Sequence, residues 1–284
     1  MPTVSADPIA SEARHFDRHR IQVSDRFELE VFDWSPASPA RDPLVFVPGW
    51  LTLVESWGPV LRRMVRDRRV VYLETREKRS AKMPSGGRRS ADFDLSRFGA
   101  DLKEVCERLD LADGRSLLFG SSLGANAILE CLAGGAQFRA AFLVSPNIDF
   151  EFPVWARFLM RFPPAVYRAL LPFIVWNLKR FRLDAKKEPE QVARYERSLA
   201  AADLSRLRLA ALALSGYSAR KLLGEIKIPV AVAYAVSDRL HGAQKARQMA
   251  AELAAGTAID CVSNRAMHEP EIVETVDRFV EGLQ

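Results

Sequence analysis

The sequence predicts an α/β fold: a doubly wound, mostly parallel sheet interrupted by a helical insertion. Three observations carry the prediction. Short, continuous apolar runs recur along the chain, helical patterns lie between several of them, and residues 148–225 contain no good strand pattern. Runs that are apolar on both faces suit central strands covered by helices on either side. Their alternation with helices means parallel strands joined by crossovers.

After a short polar tail, Arg20–Val23 and Phe27–Trp34 read as two strands around the turn Ser24-Asp25-Arg26. The alternation in Phe27-Glu28-Leu29-Glu30-Val31-Phe32 predicts a half-exposed antiparallel pair. A Pro/Ser/Ala/Asp linker, Ser35 to Pro43, leads to the apolar runs Leu44–Val47, Val70–Leu73, Ser116–Phe119, Ala141–Val144, Val230–Val236 and Ala258–Val262. Helices are expected at Trp57–Asp67, Arg97–Leu109, Leu123–Ala133, Gly242–Ala255 and Glu271–Leu283. In Arg97–Leu109, the residues Phe98, Leu102, Val105 and Leu109 fall on one face. The core is therefore expected over residues 15–147 and 226–284, with residues 148–225 as a helical cap.

Composition bounds the function classes. The chain has 284 residues, 48% hydrophobic and 27% charged, enough for one large globular domain and unlike a disordered chain. Net charge is +5, from 41 basic and 36 acidic residues. Eleven Lys/Arg lie between Arg62 and Arg89 against Asp67, Glu74 and Glu77, and eight lie between Trp155 and Lys187 against Asp184. Each stretch reads first as a solvated basic surface and second as an attractor of anionic substrates or headgroups. Neither carries a nucleic-acid-binding motif. Cys106, Cys131 and Cys261 lack metal or redox spacing and read as free thiols of a reducing compartment. Met1 to Ala13 has no apolar run, which argues against a signal peptide, and no segment is long and apolar enough to span a membrane. A cytoplasmic protein is expected, with contact at a membrane surface as a second reading.

The chemistry is expected at Gly120-Ser121-Ser122-Leu123-Gly124, between the strand ending at Phe119 and the helix that follows. A serine in such a strained turn needs small neighbours two residues before and two after, where strand and helix approach. The turn exposes its hydroxyl at a helix N-terminus, where N–H groups favour a developing oxyanion. A serine needs a base. His268 follows the last strand, in the loop before the final helix, where parallel sheets gather their sites. His15 and His19 read as surface residues of the first hairpin, and His241 as a pocket residue. Asp238, after Val230–Val236, is the carboxylate expected to orient His268, with Asp149 as its rival. One oxyanion donor is expected at the N–H of Leu123, the other in the loop Pro48-Gly49-Trp50.

With these residues in place the chain resembles the α/β-hydrolase fold superfamily, in its serine-nucleophile, helical-cap form, from about Arg20 to the C-terminus. The order Ser122, Asp238, His268 is the order that fold uses. The family's His-Gly-X after the third strand is matched by Pro48-Gly49-Trp50, so the resemblance gives Trp50 the second oxyanion N–H. The family's Asp-x-Arg-Gly-x-Gly-x-Ser is matched by Glu74-Thr75-Arg76-Glu77-Lys78-Arg79-Ser80, where Glu77 replaces the glycine after the arginine. The resemblance implies an acyl-enzyme route with no metal and no organic cofactor. Serine at the elbow centre separates the chain from relatives of this fold that place Asp there.

The insertion is rich in aromatic residues with Arg at intervals, as in Phe152–Phe162 and Tyr167–Trp176, followed by Lys179-Arg180-Phe181-Arg182. It is expected to roof an apolar acyl pocket, with peripheral membrane docking as the second reading. A serine ester hydrolase with a hydrophobic, lipid-like small-molecule substrate is the leading expectation. A C–C bond hydrolase or acyltransferase with the same triad is the alternative, and an inactive hydrolase-like binding protein is the non-enzymatic one.

Overall fold

In the computed structural model the apolar runs pair into one eight-stranded sheet. The structure describes all residues except 1–8, 10–11, 85–88, 153, 178–179, 181–188, 238–241 and 284. The strands are β1 (His15–Gln22), β2 (Glu28–Ser35), β3 (Leu44–Val47), β4 (Val70–Leu73), β5 (Leu117–Ser121), β6 (Ala140–Val144), β7 (Val230–Ala235) and β8 (Gly256–Cys261). Their spatial order is β1-β2-β4-β3-β5-β6-β7-β8. β1 and β2 pair antiparallel, β2 meets β4 antiparallel, and all pairs from β4 onward are parallel. The expected class, a mostly parallel sheet with helices, is therefore observed.

Burial follows from position in the sheet. Every residue of β3, β4, β5, β6 and β7 is buried, as expected for strands covered on both faces. Helices α2 (Leu95–Arg108), α3 (Leu123–Ala133) and α9 (Ala243–Glu252) cover one face. Helices α1 (Gly58–Met64) and α10 (Ile272–Glu281) cover the other. The expected helix at Trp57–Asp67 is split into a 3-10 turn, Val54–Trp57, and α1, with Pro59 in the first turn of α1. Between β6 and β7 come α4 (Val154–Leu159), α5 (Pro164–Asn177), α6 (Pro189–Ala201), α7 (Leu204–Leu214) and α8 (Arg220–Leu223). Among the described residues no helix is long and apolar enough to cross a membrane.

Two expectations are corrected. β8 is not a central strand: it forms the sheet edge, and none of its residues is buried. The apolar residues of Ala258–Val262 that suggested a covered strand are interrupted by Asp260, and the edge leaves one side without a neighbour. The basic stretch at residues 62–89 is only partly a solvated surface. Arg68, Arg76 and Lys78 are buried. Arg68 reaches Asp277 at 2.6 Å, and Arg69, half-buried, reaches Asp33 at 2.7 Å. Arg76 reaches Asp101 at 2.5 Å and Asp25 at 2.8 Å. These charges tie helices and the hairpin to the sheet.

The entry to β5 shows how a short polar turn sets the strand that carries the site. The Asp113 carboxylate accepts bonds from the N–H groups of Arg115 (2.9 Å) and Ser116 (3.1 Å) and from the Arg115 guanidinium (3.0 Å), around Gly114 at φ 75°. Burial alone would raise its pKa, but the hydrogen bonds from Arg115 and Ser116 together outweigh it and pull the pKa down to about 2. A depressed carboxylate stabilises the fold above its unfolded pKa of roughly 4, and that contribution fades as pH falls through about 2. Asp113→Ala is expected to cost about 1 kcal/mol at neutral pH, because solvent screens an exposed carboxylate. Urea melts of both proteins should converge as pH drops from 4 toward 2.

Candidate active site

β5 enters the turn fully buried, and Ser122 follows at φ 49°, ψ −113°, capping the N-terminus of α3. A non-glycine residue in that region is strained, by about 1–3 kcal/mol. The strain is held by bonds on both sides: Ser122 N–H donates to Val144 O at 2.9 Å, and Asn126 N–H donates to Ser122 O at 3.2 Å. The flanking glycines are required by contact. A Cβ on Gly124 would lie 2.1 Å from Val47 O, and one on Gly120 would lie 2.8 Å from Ala125 N. Leu123 is buried and is the first residue of α3, in a helix turn whose N–H groups lack intrahelical acceptors.

The Pro48-Gly49-Trp50 loop runs alongside. A Cβ on Gly49 would stand 3.5 Å from Ser122 Cβ and 3.4 Å from Ser121 O, so the loop after β3 and the expected nucleophile are adjacent. Thr52 N–H donates to Gly49 O at 3.1 Å, and Leu51 sits at φ 62°. Trp50 is half-buried and meets Phe152 edge-on, with ring centroids 6.2 Å apart.

His268 ends a 3-10 turn, Ala266–His268, between β8 and α10. Its Nδ1 lies 2.9 Å from Asn264 O. A carbonyl oxygen only accepts, so this bond places a hydrogen on Nδ1, and in the neutral ring the lone pair is then on Nε2. The imidazole stacks on Trp57 at 4.4 Å and 28°. Trp57 is fully buried and packs edge-on against Phe46 (4.9 Å) and Phe119 (5.7 Å), which belong to β3 and β5. The histidine is therefore braced by the two strands that carry the loop and the elbow.

Asp238 and His241 lie outside the described residues. Asp149 pairs in a bridge with Ser218, and its carboxylate lies 3.5 Å from Arg220 Nη2. His15 and His19 are on β1, next to the hairpin partner β2, with His19 Nε2 3.6 Å from Asp33. That edge of the sheet is remote from β5 and β8 in strand order.

Three features escaped the sequence reading. Asn147 donates from Nδ2 to Ser122 Oγ at 3.3 Å. It is clamped by the fully buried Asn126, which donates to Asn147 O at 2.6 Å and accepts from Asn147 N–H at 3.0 Å. Trp57 braces His268. Lys78 is buried and donates to Gly49 O at 3.3 Å and also to Thr52 O. Its own carbonyl accepts from Arg206 of α7, so one residue joins the inserted helices to the loop beside Ser122. Burial pushes the carboxyls of Glu74 and Glu77 up, and the Lys78 ammonium pulls both back. The only local signal of this cluster was Glu77 in place of the glycine that follows the arginine in the family pattern.

Residues 83–272 match the family described as serine aminopeptidase, S33. No curated protein matches the chain. Solved structures share its fold. A thermophilic esterase from Thermogutta terrifontis superposes with a TM-score of 0.73 at 18% identity, covering 92% of this chain and 97% of the esterase. An enol-lactonase from Burkholderia xenovorans LB400 gives 0.70 at 17%, covering 93% and 98%. A bromoperoxidase from Bacillus anthracis gives 0.72 at 16%, covering 94% and 100%. At such identities the likeness concerns the fold, and three differently named enzymes share it. By the family match and the strand order, the chain belongs to the serine aminopeptidase S33 family of the α/β-hydrolase superfamily and is a hydrolase of that type.

Proposed function

We propose that the chain is a serine carboxylic-ester hydrolase acting on an apolar, lipid-like acyl substrate through Ser122, His268 and Asp238. The observation that carries the reading is the strained backbone of Ser122 at the head of α3, with the loop after β3 against it. Strain of this kind persists where surrounding structure over-determines it, and it aims the hydroxyl out of the sheet.

In the proposed cycle Ser122 Oγ attacks the ester carbonyl while His268 Nε2 takes its proton. The N–H groups of Leu123 and Trp50 hold the oxyanion. The intermediate collapses, the C–O bond to the alcohol breaks, and His268 returns the proton to the departing alkoxide. Water then attacks the acyl-enzyme, again giving its proton to His268, and the carboxylic acid leaves with Ser122 restored. Asp238 stabilises the imidazolium. Asp149 is the weaker candidate, because its carboxylate faces Arg220. Asn147 holds the Ser122 hydroxyl before substrate arrives.

The inserted helices act as a cap in this reading. Phe152 closes on Trp50, and the buried Leu159 and Met160 lie at the end of α4 on the inner side.

Product analysis in ¹⁸O-labelled water over a series of p-nitrophenyl esters tests the reaction. The reading requires label in the released acid and a kcat/KM that rises from acetate to medium-length chains. Acyl transfer to added alcohol with little label, or activity confined to C–C substrates, would contradict it. Lys78 provides a second test. Lys78→Met removes the donor that holds the carbonyls of Gly49 and Thr52, and a displaced oxyanion loop should lower kcat about 10- to 100-fold with a small change in KM. Steady-state kinetics on a soluble ester, with circular dichroism to verify folding, checks this.

A further inference from the structure

Helices α4 and α5 both turn apolar side chains outward. On α4, Leu159 is buried while Val154 is 74% exposed and Phe158 57%. Arg208 Nε donates to Met160 O at 2.8 Å, so the segment is fixed from its inner side. On α5, Leu170, Phe173 and Trp176 recur at three-residue spacing, and Phe173 and Trp176 are 47% and 54% exposed. The two helices form one patch. Trp155 meets Phe173 edge-on at 5.7 Å, and Phe173 stacks with Trp176 at 5.8 Å. Soluble proteins scatter exposed apolar residues singly, and a contiguous aromatic cluster marks a surface that something covers.

The charges around the patch say what covers it. Arg157, Arg161 and Arg168 are exposed on the same stretch, and the residues from Val154 through Asn177 include no Asp or Glu. A second copy of the chain, packed about a two-fold axis, would set these arginines against themselves with no acid in the patch to answer them. A layer of anionic headgroups over hydrocarbon answers both features: the arginines meet phosphates while Trp and Phe enter the interface.

We propose that the α4–α5 face is a docking surface for anionic bilayers, binding through the rings of Trp155, Phe158, Phe173 and Trp176 and the guanidinium groups of Arg157, Arg161 and Arg168. The surface stands apart from Ser122 chemistry, so its test needs no substrate turnover. It would carry the enzyme to esters that reside in membranes.

The test is flotation of the full chain with vesicles of phosphatidylcholine alone or mixed with phosphatidylglycerol. Co-flotation is expected with the anionic vesicles at low salt, falling sharply at about 0.5 M salt as the arginines are screened. Arg157→Gln/Arg161→Gln/Arg168→Gln should lower the partition coefficient on the order of a hundredfold. Phe158→Ser/Phe173→Ser/Trp176→Ser should lower it at least as much while leaving the thermal melt unchanged, since these side chains are exposed. No flotation at low salt, equal flotation with phosphatidylcholine alone, or variants that float like the wild type would overturn the proposal. So would a concentration-dependent dimer, dissolved by the aromatic variant, from a protein that does not float.

Discussion

Ser122→Ala is expected to reduce kcat on a soluble ester by roughly 10⁴- to 10⁶-fold, leaving a small rate from the oxyanion donors and substrate binding alone. The size of the effect follows from the chemistry proposed. Without Oγ no acyl-enzyme forms, so His268 has no hydroxyl to activate and only solvent remains to attack. The fold should survive, because the turn is held by backbone bonds to Val144 and Asn126 that alanine retains. Ser122→Gly sharpens the test. Glycine accepts φ 49° without steric strain, so that variant should be as inactive but about 1 kcal/mol more stable. A stability gain at the cost of activity marks a residue kept in a strained place for function. Initial rates and thermal melts on the three proteins check both halves.

Arg76→Ala is expected to destabilise the fold by about 3–5 kcal/mol at pH 8, the largest effect on stability foreseen for a single residue here. Arg76 is buried between β4 and α2, donating twice to Asp101 (2.7 and 2.5 Å), once to Asp25 (2.8 Å) and once to Asp92 O (2.7 Å). Its guanidinium lies 4.5 Å over the Phe27 ring. Removing it leaves the Asp101 carboxylate buried without a cation. Burial already pushes the Asp101 pKa up to about 6, with Arg76 pulling against it, and the variant loses that pull. A carboxyl raised in the folded state favours folding at low pH, and that advantage is lost as pH rises through its folded pKa. The deficit should therefore be smaller at pH 5 than at pH 8. Arg76→Met/Asp101→Leu, which replaces both charges by apolar groups, should recover most of the loss. Urea unfolding at the two pH values measures each term.

The parts legible in the sequence were those set by local pattern. β3 and β4 coincide with the runs Leu44–Val47 and Val70–Leu73, because a strand covered on both faces leaves no position for a polar residue. α3 begins and ends as expected, because the glycines and the following apolar helix define it locally. The edge position of β8 is not legible in its sequence, because apolar content alone does not say whether a strand has a neighbour on each side. The burial of Arg68 and Arg76 is hidden for a related reason: their partners Asp277 and Asp101 are distant in sequence, and a charge reads as exposed until its partner is known. Around Ser122 the same limit holds. The elbow could be read from five residues, but Asn147, Trp57 and Lys78 reach the site only through the packing of separate loops. Asp238 lies outside the described residues, so the proposed acid rests on chain order and on Asp149 facing Arg220.

The most direct measurement is covalent labelling with a fluorophosphonate followed by peptide mapping. An activated serine attacks the phosphorus and retains the adduct, whereas an ordinary surface serine does not. The predicted result is a single adduct on the peptide that contains Ser122, absent in Ser122→Ala and strongly slowed in His268→Ala. A folded protein that takes no label, or one labelled instead at Ser121 or Ser145, would contradict the assignment of Ser122 as the nucleophile.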